Sequence, residues 1–245
     1  MQHPAGAYPV ARLFSLILVL VCTSLLAGCG GPVVDGDGVL TTEQRSVAKF
    51  QRIDLSLPAD VTVRQGPAPA VQLEADKNLL PLIETELVGT TLQIKAKGNI
   101  GSNKGIRLQL TMPDLRGIIV SGPGGVVVQD IFSPTDITLE ASGPGNITGQ
   151  FITGQVEAEV SGPGTITLRG SADNLSADVS GPGNIYADAM AAKRVKATVS
   201  GPGNISCQVQ DELQAEVSGP GDISYKGNPA KLSQDVSGPG SVKKL

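Results

Sequence analysis

The sequence predicts an all-β fold, a single-chain β-solenoid with coils of about 19 residues. Three observations carry the prediction. The tetrapeptide Ser-Gly-Pro-Gly occurs seven times, beginning at Ser121, Ser142, Ser161, Ser180, Ser200, Ser218 and Ser237, at steps of 21, 19, 19, 20, 18 and 19 residues. A near-constant period of this length marks one supersecondary unit stacked on copies of itself. Apolar and polar residues alternate on both sides of each tetrapeptide, the period of a half-buried strand. Equivalent inward positions also carry like residues from copy to copy.

Residues 156–168, VEAEV-SGPG-TITL, show one unit. Val156, Ala158 and Val160 alternate with Glu157 and Glu159; Ile166 and Leu168 alternate with Thr165 and Thr167. Each repeat therefore reads as strand, tight turn, strand, then a variable loop. The last inward position before the turn is Val120, Ala141, Val160, Val179, Val199, Val217 and Val236. The one before it is Ile118, Leu139, Ala158, Ala177, Ala197, Ala215 and Gln234. The first after the turn is Val126, Ile147, Ile166, Ile185, Ile205, Ile223 and Val242. A lone coil cannot bury such a face, whereas coils about 4.8 Å apart make one continuous core. Asn146, Asn184, Asn204 and Asp222, just past the turn, are placed to hydrogen-bond along the axis as side-chain ladders do.

The turns are Gly122-Pro123-Gly124, Gly143-Pro144-Gly145, Gly162-Pro163-Gly164, Gly181-Pro182-Gly183, Gly201-Pro202-Gly203, Gly219-Pro220-Gly221 and Gly238-Pro239-Gly240. Proline followed by glycine fits a type II turn, in which the glycine takes positive φ. The rival arrangement, a meander of antiparallel hairpins, prefers the primed turns that Pro-Gly does not make.

Ahead of the repeats, Ile53, Leu55 and Leu57 alternate up to Pro58, Val61 and Val63 up to Gly66, and Val71, Leu73 and Ala75 follow. Residues 76–81 read as a turn with a helical start. Ile83–Leu87 and Leu92–Ala96 flank a tight connection at Val88-Gly89-Thr90, and Ile106, Leu108 and Leu110 form a strand that Pro113 closes. Residues 47–115 are expected to be less regular coils leading into the array of residues 116–245.

At the start of the chain, Arg12 precedes an apolar run from Leu13 towards Leu26, ending in Leu26-Ala27-Gly28-Cys29. A basic residue, a short apolar core and small residues describe an export signal, and the run is short for a membrane-spanning helix. Leu-Ala-Gly-Cys resembles the lipobox of bacterial lipoproteins. That resemblance implies cleavage after residue 28, acylation of Cys29 and residence in the cell envelope. Gly30 is not the aspartate of an inner-membrane retention signal, so the outer membrane is the expected address. An ordinary secreted protein with a chance cysteine is the bland alternative. Residues 29–46, Gly-rich and polar, read as a lipidated flexible tether. Removal of residues 1–28 leaves 217 residues; Arg12 leaves with them, so 18 basic residues face 23 acidic ones and the net charge is −5. A mildly acidic domain does not attract nucleic acid.

FQRIDLSLPADVTVRQG, then LQLTMPDLRGIIVSGPG and the glycine-centred turns behind a lipoprotein signal, resemble the GIN domain, the head domain of auto-transporter adhesins. The resemblance covers residues 47–245. It implies a β-helix related in shape to the pectin-lyase-like folds without their catalytic residues, and a role in adhesion. Proline inside the turn, where the family is expected to carry a small residue, should stiffen the corner.

The residue inventory argues against catalysis. The sole histidine, His3, lies in the signal, so the mature chain has no imidazole for a Ser–His or Cys–His pair or for metal ligation. The seven turn serines read as local caps rather than nucleophiles. Cys207 falls in an inward column as a buried thiol without a disulfide partner. An outward acidic column, Glu140, Glu159, Asp178, Glu216 and Asp235, is interrupted by Thr198. Carboxylates about 4.8 Å apart repel by about 0.9 kcal/mol in water, which a bound Ca²⁺ would relieve; splayed, solvated side chains are the simpler reading. Sugar binding leans on aromatic platforms, and the mature chain has no Trp and only Tyr186, pointing out, and Tyr225, pointing in. Gln234, Lys243 and Lys244 read as a polar cap on the last coil. No cofactor is expected. The partners expected are the membrane through Cys29 and a protein or glycan at the envelope surface, with a polysaccharide-active β-helix as the alternative.

Overall fold

The computed structural model describes residues 32–245. In chain order the first strands are β1 (Val33–Val34), β2 (Leu40–Arg45), β3 (Arg52–Leu55), β4 (Ala59–Gln65), β5 (Ala70–Asp76), β6 (Ile83–Val88), β7 (Thr91–Ala96), β8 (Asn99–Ile100) and β9 (Ile106–Met112). A 3-10 turn, Leu80–Leu82, precedes β6. The repeats supply β10 (Gly117–Val120), β11 (Gly125–Val128), β12 (Asp136–Ala141), β13 (Asn146–Val160), β14 (Thr165–Val179), β15 (Asn184–Val199), β16 (Asn204–Val217), β17 (Asp222–Lys226), β18 (Lys231–Val236) and β19 (Ser241–Lys244).

The fold is a parallel β-solenoid, and the apolar columns stack in register. One column runs Ile94, Leu55, Val120, Ala141, Val160, Val179, Val199, Val217, Val236, nine rungs with like atoms above like. Across the corner a second runs Leu108, Val61, Val126, Ile147, Ile166, Ile185, Ile205, Ile223, Val242. Eight steps of about 4.8 Å make a spine about 38 Å long. From Ile94 and Leu108 to Val217 and Ile223 these side chains belong to one core cluster, against which Val242 packs and beyond which Val236 is exposed.

The corners correct the expected turn type. None of the glycines of the seven tetrapeptides has positive φ. The glycines are there for space. In each of the first six tetrapeptides Ser and Pro are exposed and both glycines are buried. A Cβ on Gly164 would stand 2.7 Å from the Gly143 carbonyl oxygen, and one on Gly183 would stand 2.6 Å from that of Gly162. The bends are held axially: Ser180 N donates to Val160 O at 3.0 Å, Gly183 N to Gly162 O at 3.0 Å and Asn184 N to Gly164 O at 3.1 Å. Corner thus stacks on corner at backbone distance, which any side chain there would wedge apart.

The expected variable loops are largely strand. β13–β16 run 15, 15, 16 and 14 residues, through the connections between corners. Gln150 pairs with Arg169, Phe151 with Gly170 and Ile152 with Ser171. Unequal repeat lengths are absorbed by register shifts between Thr167 and Arg169 and between Ala187 and Ala191. Buried Phe151 stacks on Phe132, filling this side of the core.

Residues 47–115 are not coils in serial order. β3 and β4 form the second rung, while β7 and β9, later in the chain, form the first parallel one. Antiparallel strands then extend this end: β6 pairs with β7 through a hairpin at Gly89 (φ 62°), β5 with β9 and β2 with β5. The Arg45 guanidinium, on β2, donates to Ile83 O (2.6 Å), Leu80 O (2.9 Å) and Thr85 Oγ1 (3.2 Å), tying β2 to β6. A flexible tether over residues 29–46 therefore does not describe residues 33–45. β1 pairs with β8, and Asp35 Oδ1 accepts the Ser102 N–H at 2.8 Å. Buried Asp76 pins the same loop by accepting the Lys104 N–H at 3.0 Å. At the far end β18 is exposed throughout, and its inward Leu232 and Val236 stand open beside Gln234, so the polar cap is partial.

Candidate interaction face

The face before the corners presents three outward columns, positioned by the pairing of β12 to β16 and β18. Nearest the corner stand Glu140, Glu159, Asp178, Thr198, Glu216 and Asp235, the acidic column in the expected order and register. The next reads Thr138, Glu157, Ser176, Lys196, Gln214 and Ser233. The outermost reads Asp136, Gln155, Asn174, Arg194, Glu212 and Lys231. The acids are thus one edge of a mixed surface with Arg194 and Lys196 at its middle. Sequence reasoning passed over these two cations; their signal was that each replaces a neutral residue in its column, Asn174 and Ser176.

Specific contacts order the face. Arg194 Nε donates to Asn174 Oδ1 at 2.8 Å, Gln214 Nε2 to Glu216 Oε1 at 2.7 Å, and Arg116 Nη1 lies 3.0 Å from Asp136 Oδ1. Burial pushes the Asp178 carboxyl above the usual carboxylate range, and the nearby Lys196 charge pulls it partly back. A shallow groove of about 310 Å³ crosses the face, lined by Gln155, Asn174, Ser176, Arg194, Lys196 and Gln214 among others. Amides, a guanidinium and an ammonium there offer hydrogen bonds and charge to a polar ligand. Among the described residues no three His, Cys, Asp or Glu side chains come together as a metal site, the calcium candidates included.

Past the corner the expected ladder is present from Asn184 to Asp222, while Asn146 pairs with Thr165 and stands outside it. Asn184 Oδ1 accepts from Asn204 Nδ2 (3.0 Å) and N (3.1 Å), Asn204 Oδ1 accepts the Asp222 N–H (3.1 Å), and Asp222 Oδ1 accepts from Ser241 Oγ (2.6 Å). The Ser241 hydroxyl and Lys243 hold the Asp222 carboxyl below the usual range. The turn serines stand exposed, and no hydrogen bond from their hydroxyls caps a turn. Cys207 is buried, its thiol pushed up to about 12 by burial and by Asp188. Tyr225 is buried and Tyr186 is exposed. Cys29 and His3 lie outside the described residues. Among the described residues no helix is long and apolar enough to cross a membrane.

The chain is thus a parallel β-solenoid that displays polar columns along one face. The chain belongs to the family described as "Putative auto-transporter adhesin, head GIN domain", whose profile matches residues 49–229. Similar solved structures include a putative adhesin from Bacteroides fragilis, 26% identical with a TM-score of 0.83, matching 86% of this chain and all of that one. A putative adhesin from Parabacteroides merdae is 20% identical at a TM-score of 0.75, with 88% and 100% covered. A putative lipid binding protein from Parabacteroides distasonis is 22% identical at 0.74, with 87% and 100% covered. These last two show the fold alone. No curated protein matches.

Proposed function

We propose that the protein is a non-catalytic adhesion or scaffold protein of the bacterial envelope, anchored by acyl chains on Cys29 in the outer membrane. It binds a protein or glycan through the face before the corners. One observation carries this reading: Arg194 and Lys196 sit among stacked acids and amides on a surface whose six rungs are held by parallel pairing, so the pattern is pre-organised for a polar partner. Adhesin membership of the family and the Bacteroides fragilis neighbour supports the same class.

The test presents purified domain to a glycan array and to envelope proteins of neighbouring cells. Capture without turnover that disappears in the Arg194→Glu, Lys196→Glu double variant supports the reading. Defined glycan binding with product release overturns it in favour of a polysaccharide-active β-helix. For the anchor, a Cys29→Ser chain that still fractionates with membranes and still carries lipid would remove Cys29 from its role.

A further inference from the structure

Chain length, taken with the acylation of Cys29 on which this inference rests, constrains how the domain meets the bilayer. We infer that the end of the solenoid where β2, β5 and β6 extend the coil of β7 and β9 is seated on the membrane, with an exposed strip around Val33 and Val39 against phospholipid headgroups.

Only Gly30, Gly31 and Pro32 separate Cys29 from Val33. Four residue steps span at most about 14 Å. One leaflet's headgroup layer is about 5–7 Å thick. Acyl chains hold the Cys29 sulfur at the inner boundary of that layer. Val33 therefore stays within about 7–9 Å of the headgroup surface even with the chain drawn out. Val33 is not itself on a tether. β1 pairs with β8 in the connection between β7 and β9, and Gly36 N donates to Ser102 O at 2.8 Å. Whatever holds Val33 near the bilayer holds this end of the solenoid there.

The strip is composed for that contact. Val33, Val39 and Leu40 are 62%, 55% and 44% exposed. Lys77 is beside them, its N–H donating to Val39 O at 2.9 Å, and the Lys104 stem lies against Gly38. Aliphatic side chains suit the boundary of the acyl region, and lysines reach phosphates while their stems stay apolar. The strip also carries two exposed acids, whose oxygens are taken up by backbone N–H groups: Asp35 Oδ1 accepts the Ser102 N–H and Asp37 Oδ1 the Val39 N–H.

The experiment uses full-length protein with its own signal, purified from cells, its acyl mass measured, in nanodiscs of phosphatidylethanolamine and phosphatidylglycerol. Val39→Cys or Tyr186→Cys carries a fluorophore; Cys207 is buried and stays unlabelled. Tyr186 lies five rungs, about 24 Å, from the β7–β9 coil. Headgroup-spin-labelled lipid is expected to quench the Val39→Cys label several-fold more than the Tyr186→Cys label. A Gly/Ser spacer of about a dozen residues before Pro32, about 19 Å in r.m.s. length, sorts the cause. Lost preference assigns the seating to chain length, and retained preference assigns it to the strip. Equal quenching at both sites in acylated, disc-bound protein overturns the seating and leaves the anchor standing. Protein without acyl mass overturns the anchor, and the seating with it.

Discussion

A Cβ built on Gly183 would stand 2.5 Å from Val160 Cγ1 and 2.6 Å from the Gly162 carbonyl oxygen, and closer still to that of Gly164. Both carbonyls belong to the stack below, so relief requires prising coils apart. Gly183→Ala is expected to cost about 1–3 kcal/mol, the cost of overpacking a filled site, and Gly183→Val more. Pro182→Ala at the exposed ring next to it should cost no more than about 1 kcal/mol, through the freer unfolded chain. Denaturant melts of the three variants check the ordering; equal midpoints for Gly183→Ala and Pro182→Ala would put the constraint somewhere other than space. Cys207 tests burial by chemistry. With its thiol pushed up to about 12, roughly one molecule in 10⁴ is thiolate at pH 8. Alkylation of folded protein should be negligible at that pH and become complete in denaturant. Rapid labelling without denaturant would mean that the β16 column opens.

At the scale of the element, Arg45 closes the end that β2 and β6 share. Its planar fork reaches three acceptors from two nitrogens, a geometry an ammonium does not reproduce. Arg45→Ala is expected to destabilise by about 1–3 kcal/mol and Arg45→Lys to recover less than half, with faster hydrogen exchange confined to β2 and β6. Uniform exchange across the rungs would show that the clasp is not local. On the face before the corners, burial raises the Asp178 carboxyl above 3.8. The folded state then holds that proton more tightly than the unfolded chain. Its contribution is fully present below 3.8 and is lost as pH rises through the folded value. Asp178→Asn should therefore raise the melting temperature at pH 7 and not at pH 3. Asp222 shifts the other way, so its contribution is present above 3.8 and lost as pH falls through the lowered value; Asp222→Asn should lower the midpoint at pH 7, modestly because the group is exposed. A raised midpoint in both variants would contradict the Asp222 assignment, and a lowered one in both the Asp178 assignment. What the sequence makes legible here follows from how burial is written in it. The columns read directly because the inward positions flanking each corner, Val120 to Val217 before it and Val126 to Ile223 after it, are aliphatic. β2 does not, because Leu-Thr-Thr-Glu-Gln-Arg resembles a tether until β5 pairs with it. The strands between corners hide because register shifts near Gly170 and Ala187 break the alternation. Pro-Gly spells a type II turn in isolation, and only stacking reveals the second glycine as a spacer.

Across the whole molecule each repeat contacts chiefly the rung above and the rung below, so stability should behave as a sum over rungs and interfaces. Residues 161–179, from Ser161 to Val179, are one complete 19-residue turn from corner to corner. Deleting them joins Val160 to Ser180, which reproduces the native Val-Ser-Gly-Pro-Gly sequence and lays Ile147, Ile185 and Ile205 in one shortened column. The register demanded by the inward positions survives, because a strand displaced by a whole turn keeps its parity. The shortened chain is expected to fold with an unchanged β signature by circular dichroism. Its denaturant m-value should fall by roughly a tenth, in proportion to the surface that no longer unfolds. Removing nine residues instead, 161–169, joins Val160 to Gly170. It drops a corner and Ile166 and Leu168 from the column, and sends the strand after the junction to the wrong side of the core. That chain should fail to fold cooperatively. A 19-residue deletion that unfolds the protein as completely as the nine-residue one would mean that the rungs are not interchangeable, and that the spine depends on differences between coils which the stacked valines and isoleucines do not display.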